Sequence, residues 1–331
     1  MKIVITDDRF NRCYDEEKTV FPDAELIISD CHTEDELVTA CAGADGILLN
    51  QAHMTRRVIK TLDRCKVISR YGIGYDNVDL EAAEEKGIWV TNVPGYCSEE
   101  VAEHALGLLL SCVRAIPEKD RAIREGRWNV NRPVRRMSGR VLGIVGFGET
   151  GKAFWEKVQG FAFSSILVSD PRGCAKLSER REKLKNSDEL FEKTKIAPFE
   201  ELLRNSDFIS LHVPLNESTR HFINSKTIAE MKEGAVIINT SRGAVIEEAA
   251  LVEALKSGRI ACVGLDVFEK EPLPTDHPFL SLPNVVLTDH SAYYSAESVS
   301  ELKTRTARNA REALEGRIPQ TAVNKPIGYE K

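Results

Sequence analysis

Three side chains between residues 242 and 290 have the types needed for proton and anion chemistry: Arg242 in NTSRG, Glu271 in VFEKEP and His290 in VVLTDHSAYYSAES. An imidazole gives or takes a proton near neutral pH. A guanidinium forks onto a carboxylate through paired N–H donors. A glutamate at the second ring nitrogen would hold the imidazole's orientation and favour its charged form. Each residue also has an ordinary reading: a hydrogen-bonded structural histidine, a surface ion pair, a solvated glutamate. The functional reading depends on whether the fold brings them together.

A second signal is RVLGIVGFGETG, residues 140 to 151, with Gly146, Gly148 and Gly151 in GxGxxG register and Phe147, Glu149 and Thr150 between them. A short apolar strand precedes it and the helical pattern KAFWEKVQG follows. Asp170 ends the next apolar run, SILVSD, about twenty residues on, which is the dinucleotide fingerprint in its required context. The glycines permit a tight turn and close backbone approach, so a pyrophosphate can rest on amides at the helix N-terminus. Asp170 can accept hydrogen bonds from ribose hydroxyls and would repel a 2′-phosphate. That favours NAD over NADP, although Arg172 leaves NADP open.

These residues must be positioned by a repeating frame. KIVIT, ELIIS, GILLN, KVISR and WVTN alternate with helical patterns, which means βαβ units and a parallel sheet. Thr33 with Glu36 predicts a capping box, Asp79 and Gly87 bracket another helix, and Ser98 is the expected cap of a long helix. A second unit from Arg140 offers six strands: VLGIV, SILVS, DFISL, AVIIN, CVGLD and VVLT. A final helix is expected over 296–315. The fold class is α/β, with two doubly wound parallel sheets. Ligands bind beyond the carboxyl ends of such strands. Gly146, His212, Thr240, Ser241, Arg242, Asp266 and His290 all follow strands of the second unit, so Arg242 and His290 can face one cavity with a nicotinamide. Glu271, on the loop leaving the fifth strand, can reach the imidazole.

The bulk properties narrow the partners. The chain has 331 residues, 42% hydrophobic and 29% charged, with net charge -6; this is folded, two-domain material whose field repels nucleic acid and anionic membrane. The basic residues Arg132, Arg135, Arg136 and Arg140, and those from Arg180 to Lys185, read as solvated faces. Eight cysteines (13, 31, 41, 65, 97, 112, 174 and 262) have no CxxC pair or recurring spacing. They predict reduced thiols in a cytoplasmic setting, with neither metal site nor disulfide framework. MKIVITDD lacks a signal-peptide core, and no stretch approaches a membrane span. A charge-dense stretch from Lys176 to Lys195 reads as a surface insertion.

The motifs together resemble the D-isomer-specific 2-hydroxyacid dehydrogenase family over almost the whole chain. They are RYGIGYDNVD (70–79), VPGYCSEEVAEHALGLLL (93–110), VGFGETG with Asp170, HVPLNESTR (212–220), NTSRG (239–243), LDVFEKEP (265–272) and the His290 motif. The resemblance implies a flavodoxin-like substrate domain (1–97), an inserted Rossmann NAD-binding domain (98–291), a C-terminal return (292–331) and a homodimer formed around the nucleotide domain. It maps the family's catalytic Arg, Glu and His onto Arg242, Glu271 and His290. It adds Val213, Pro214 and Thr219 to the cofactor contacts. Hydride would pass between nicotinamide and the carbonyl carbon of a 2-oxo acid, His290 serving the oxygen as acid/base and Arg242 binding the carboxylate. Arg70 and the backbone amides of Tyr71, Gly72, Ile73 and Gly74 would offer a second anion cradle. Ser-Ala-Tyr-Tyr-Ser after the histidine is similar to the C-terminal-binding-protein branch, where an aromatic takes the position of Tyr293. This motivates an alternative, an NAD(H)-sensing dimeric corepressor-like protein. Phosphite and formate dehydrogenases share the same frame. The substrate side chain is not legible, though Tyr293 suggests a bulky or apolar group.

Overall fold

A computed structural model describes residues 1–8, 10, 12–129, 131, 133–170 and 193–328. Arg132, Arg172, Cys174, the basic residues from Arg180 to Lys185 and most of the charged stretch beginning at Lys176 lie outside the described residues. The chain divides into two compact units, one of 1–96 with 294–331 and one of 97–293.

The first unit is built on β1 (Lys2–Ile5), β2 (Glu25–Ile28), β3 (Gly46–Leu49), β4 (Val67–Arg70) and β5 (Trp89–Thr91), ordered β2-β1-β3-β4-β5 and all parallel. This is the flavodoxin-like order. Between the strands lie α1 (Asp15–Val20), α2 (Glu34–Ala40), α3 (Arg56–Lys60) and α4 (Leu80–Glu85). Thr33 and Glu36 make the reciprocal capping box, which satisfies two orphan donors at once. Asp79 caps α4, and Gly87, at φ +71°, ends it in a conformation that glycine adopts without a Cβ penalty. The helix Ala296–Leu314, capped by Ser295, packs on β3 and β4. Ser69 Oγ donates to the Thr306 carbonyl at 2.8 Å, and Asn309 Nδ2 to that of Asn92 at 3.0 Å, tying this helix to the sheet.

The second unit opens with α5 (Ser98–Arg114) and α6 (Ile116–Arg124). Here the sequence expectation needs correction: Cys97 occupies the cap position of α5, no side chain caps it, and Ser98 is the first helical residue. Among the described residues seven strands follow, not six: β6 (Val141–Val145), β7 (Ser165–Ser169), β8 (Thr194–Ile196), β9 (Phe208–Leu211), β10 (Ala235–Asn239), β11 (Ile260–Leu265) and β12 (Val285–Leu287). The extra strand, β8, is short and half-polar. It is recruited by pairing with β7, and a strand held by edge pairing leaves little hydrophobic pattern of its own. The order β12-β11-β10-β9-β6-β7-β8 is the Rossmann order with one strand added beyond the sixth. The helix α7 (Glu149–Lys157) follows β6. Val145, Leu211 and Leu265 lie in one apolar layer of the sheet, and Ile144, Phe208 and Ile238 pack with α5 and α7 in the other.

Candidate active site

The strand order of the second unit reverses at β6, which pairs with β7 on one side and β9 on the other. The carboxyl ends of β6 and β9 therefore form the crevice where such folds take ligands. Gly146 leaves β6 at φ +90°, a backbone state that disfavours side chains. A Cβ there would sit 2.3 Å from the His212 carbonyl oxygen, and one at Gly151 would sit 2.2 Å from the Gly146 oxygen. Both glycines let the turn pack flat against the end of β9. Gly148 occupies the cap of α7, with Glu149 and Thr150 in its first turn. Phe147 is buried edge-on to Trp155, so it offers backbone rather than ring, and its amide donates to Asp170 Oδ2 at 3.2 Å. A small pocket, open to solvent, is lined by Gly146, Asp170, His212, Val213, Pro214 and Thr219 together with Asn216 and Ser218. Thr219 keeps this loop shaped, donating to the Pro214 carbonyl at 2.6 Å and accepting from the Asn216 amide at 2.8 Å. His212 lies tilted against Phe154 with ring centroids 5.0 Å apart, and burial pushes its imidazole down to about 3.

Further along the same sheet, the ends of β10, β11 and β12 carry the acid/base candidates. His290 Nδ1 lies 2.6 Å from Glu271 Oε2, and Glu271 Oε1 accepts the Phe268 amide at 2.9 Å. Burial alone would raise the Glu271 carboxyl. The hydrogen bond and charge of His290, the Phe268 amide and the charge of Arg242 together hold it below its ordinary value. Arg242 precedes a short 3₁₀ turn, Gly243–Val245, and its Nη1 donates to the Ser241 carbonyl at 2.8 Å. Asn239, at the end of β10, shapes this corner from below. Its Oδ1 accepts from the Ser241 amide and hydroxyl at 3.0 and 2.7 Å, and its Nδ2 donates to the Arg242 carbonyl at 2.9 Å. The Ser241 hydroxyl is thus engaged within the loop. Asp266, 1% exposed, is engaged likewise: Oδ1 accepts from Thr288 Oγ1 at 2.6 Å and the Ser291 amide at 3.0 Å, and Oδ2 from the Ala292 amide at 3.0 Å. Tyr293 stands edge-on to His290, with ring centroids 6.5 Å apart.

In the first unit Arg70 ends β4, and its Nη1 donates to the Tyr71 carbonyl at 2.6 Å. The expected cradle of four amides is reduced here. The Tyr71 amide already donates to Leu49 at 2.7 Å and that of Gly72 to Arg70 at 3.0 Å, because the chain is still completing its exit from the sheet. Ile73 and Gly74 remain as the amide donors of that loop. The Tyr71 side chain is buried, its hydroxyl donating to Glu17 Oε1 at 2.7 Å.

Comparison with known proteins agrees with this architecture. Residues 106–292 match the model of the D-isomer specific 2-hydroxyacid dehydrogenase NAD binding domain. The chain belongs to that family. It is 41% identical over 278 residues to a glyoxylate reductase of Korarchaeum cryptofilum, covering 82% of this chain and 79% of that protein. A hydroxypyruvate reductase of Thermotoga maritima is 40% identical over 280 residues, covering 83% and 86%. The solved structure of a D-lactate dehydrogenase from Aquifex aeolicus with NAD and lactic acid superposes with a TM-score of 0.83 at 28% identity, covering 98% and 99%. The protein is accordingly an NAD-dependent dehydrogenase of the 2-hydroxyacid family.

The residues present fit that cofactor. The glycine turn has no room for a Cβ, and two buried polar atoms at the strand ends, His212 Nδ1 and Thr240 Oγ1, have no hydrogen-bond partner among the described residues. Unpaired buried polar atoms are rare in native structures and call for a ligand or an ordered water. Among the described residues no group of three or more His, Cys, Asp and Glu side chains is arranged to hold a metal ion, and no helix is long and apolar enough to cross a membrane. Sequence reading missed Asn239, Gly243, His104 and Thr288, which touch the site residues from behind. Their one available signal was position: all four lie within or beside the quoted family motifs.

Proposed function

We propose that this dehydrogenase interconverts a small 2-oxo acid and the corresponding D-2-hydroxy acid, with His290 as acid/base, Glu271 as its orienting carboxylate and Arg242 as the substrate-carboxylate ligand. The observation that carries this reading is the 2.6 Å contact between His290 Nδ1 and Glu271 Oε2. With Nδ1 held by the carboxylate, Nε2 is the nitrogen that exchanges a proton with the substrate oxygen, and Glu271 stabilises the charged ring. Arg242 presents a fixed guanidinium that neutralises the substrate carboxylate and polarises the adjacent carbonyl. Arg70, with the amides of Ile73 and Gly74, serves as a second anion contact.

Bound NAD(H) supplies the hydride donor or acceptor. The residues that would hold it are Gly146 to Gly151, with Phe147, Glu149 and Thr150 contributing backbone, and Asp170 at the ribose. His212, Val213, Pro214 and Thr219 would line the pocket, and Thr240, Ser241, Arg242, Asp266 and His290 would face the nicotinamide end. Asp170 favours NADH over NADPH. Tyr293, edge-on to His290, shapes the substrate pocket. The names of the relatives direct the choice of substrates to glyoxylate, hydroxypyruvate and pyruvate.

The test is NADH and NADPH oxidation over a panel of 2-oxo acids. Turnover is expected on at least one small member, faster with NADH. His290→Ala should lower the rate by about 10² to 10⁴, the usual worth of a positioned proton donor, with NADH affinity little changed. No turnover on any member would reject the small 2-oxo acid as substrate and favour the NAD(H)-sensing alternative.

We also infer a homodimer. It is supported by the apolar surface of the second unit at Ile116, Ile123, Trp128 and Val134, where Trp128 is 79% exposed. A run of large exposed apolar side chains on one segment is the kind of surface that a second copy buries.

A further inference from the structure

Behind His290 lies a chain of hydrogen bonds that the proton-transfer reading does not use. His104, on α5, has Nε2 at 2.9 Å from Thr288 Oγ1 and 3.5 Å from Asp266 Oδ1. Thr288 Oγ1 is in turn 2.6 Å from Asp266 Oδ1. A threonine hydroxyl has one proton, and a carboxylate only accepts. The short contact to the carboxylate therefore takes the Thr288 proton, and Thr288 must accept from His104. This fixes the His104 tautomer with hydrogen on Nε2; the opposite tautomer would aim a nitrogen lone pair at a hydroxyl lone pair and a carboxylate. All donors run one way, from His104 to Thr288 to Asp266.

Asp266 is the clamp on the loop that carries the acid/base residue. Its carbonyl accepts the His290 amide at 2.8 Å, and its carboxylate accepts the amides of Ser291 and Ala292. His290 itself is held at φ +56°, a left-handed conformation that a non-glycine residue keeps only when its surroundings impose it. Rotation of the Asp266 carboxylate would release two of the three amides that impose it.

We propose that His104 and Thr288 are positioning residues of the reaction, forming with Asp266 a proton-ordered chain that fixes the His290 loop in its working conformation. The proposal rests on His290 being the acid/base residue. A misplacement of a reacting group by about 1 Å can lower a rate about 10²-fold. Thr288→Val, isosteric but without the proton, is expected to lower kcat by roughly 10- to 100-fold on that scale, with the Kd for NADH from fluorescence titration and the thermal midpoint close to wild type. Thr288→Ser restores the hydroxyl and should recover most of the rate. At position 104, Gln can present an N–H donor and should retain most of the rate, whereas Leu should lose it. The Thr288→Val and His104→Leu double variant should be no slower than the slower single one, because both break the same chain.

Full kcat in Thr288→Val overturns the proposal. Equal rates for His104→Gln and His104→Leu overturn it independently, and this pair decides the matter if Thr288→Val folds poorly. His290→Ala run in parallel separates the two levels. If it keeps its rate, the acid/base reading fails; if it alone loses its rate, only the chain fails.

Discussion

His290 and His212 are both strand-end histidines, and their surroundings give them opposite electrostatic characters. His290 is partly open and meets a carboxylate, an arrangement suited to exchanging a proton. His212 meets Phe154 and the Ser210 hydroxyl at 2.9 Å, with no acid paired to it among the described residues, and burial holds it neutral. Its folded-state value of about 3 lies below the ordinary 6.5, so the unfolded chain takes up a proton there first as pH falls. The stability this group contributes is therefore complete above 6.5 and declines as pH drops from 6.5 toward 3. In urea titrations at pH 7.5 and pH 5, His212→Gln should lose less stability on acidification than wild type. Equal losses would show that the imidazole does not titrate differently in the two states.

At the scale of elements, loops leaving neighbouring strands are locked to one another. The Asn239 carbonyl accepts the Asp266 amide at 3.0 Å, so the ends of β10 and β11 are joined at the base of the site. Above that, Gly243 lies so close to the next loop that a Cβ would be 1.8 Å from the Phe268 carbonyl carbon. This close approach brings the Arg242 corner against the turn that holds Glu271. Gly243→Ala must push two backbones apart. Overpacking of this kind costs about 1–3 kcal/mol, and kcat/KM should fall at least several-fold, read by urea unfolding and steady-state kinetics. Gly107, within α5 and with nothing near its Cβ position, is the contrasting site. Alanine there should raise stability by roughly 0.5–1 kcal/mol by restricting the unfolded chain.

At the scale of the molecule, two doubly wound sheets have different things at their switch points. In the second unit the crevice between β6 and β9 is an open pocket. In the first, the corresponding place between β1 and β3 is filled by the protein's own carboxylate. Asp7 accepts the amides of Asn50, Gln51 and Ala52 at 3.1, 2.7 and 3.2 Å and is 1% exposed. An anion already rests where a phosphate would, so nucleotide binding falls to the second sheet. For the whole assembly, light scattering after size exclusion should give twice the 36.9 kDa chain mass. Trp128→Glu should shift that toward the monomer while leaving the chain folded by circular dichroism. A monomeric wild type would remove the homodimer from the reading.

Most of the architecture is legible in the sequence. Strand runs, the Thr33–Glu36 capping box and the GxGxxG turn with Asp170 are local patterns, and local patterns are written in consecutive residues. β8 escaped because pairing with β7, rather than its own composition, makes it a strand. Arg242, Glu271 and His290 were legible as residue types at strand ends. That Glu271 can reach the imidazole was legible as well; the 2.6 Å distance was not, because distances between loops leaving different strands depend on sheet order and on packing at positions such as Gly243. The side-chain partners of Tyr71, Asp266 and Ser241 were not legible for the same reason: they are set by what the fold brings into hydrogen-bond distance, which spacing along the chain does not encode. Sequence alone determined the kind of fold, the dinucleotide class of its cofactor and the residue types gathered at the strand ends. Only tertiary structure decided which donors remain for ligands, which are bound to their own loops, and why His104, far from His290 in sequence, stands behind it.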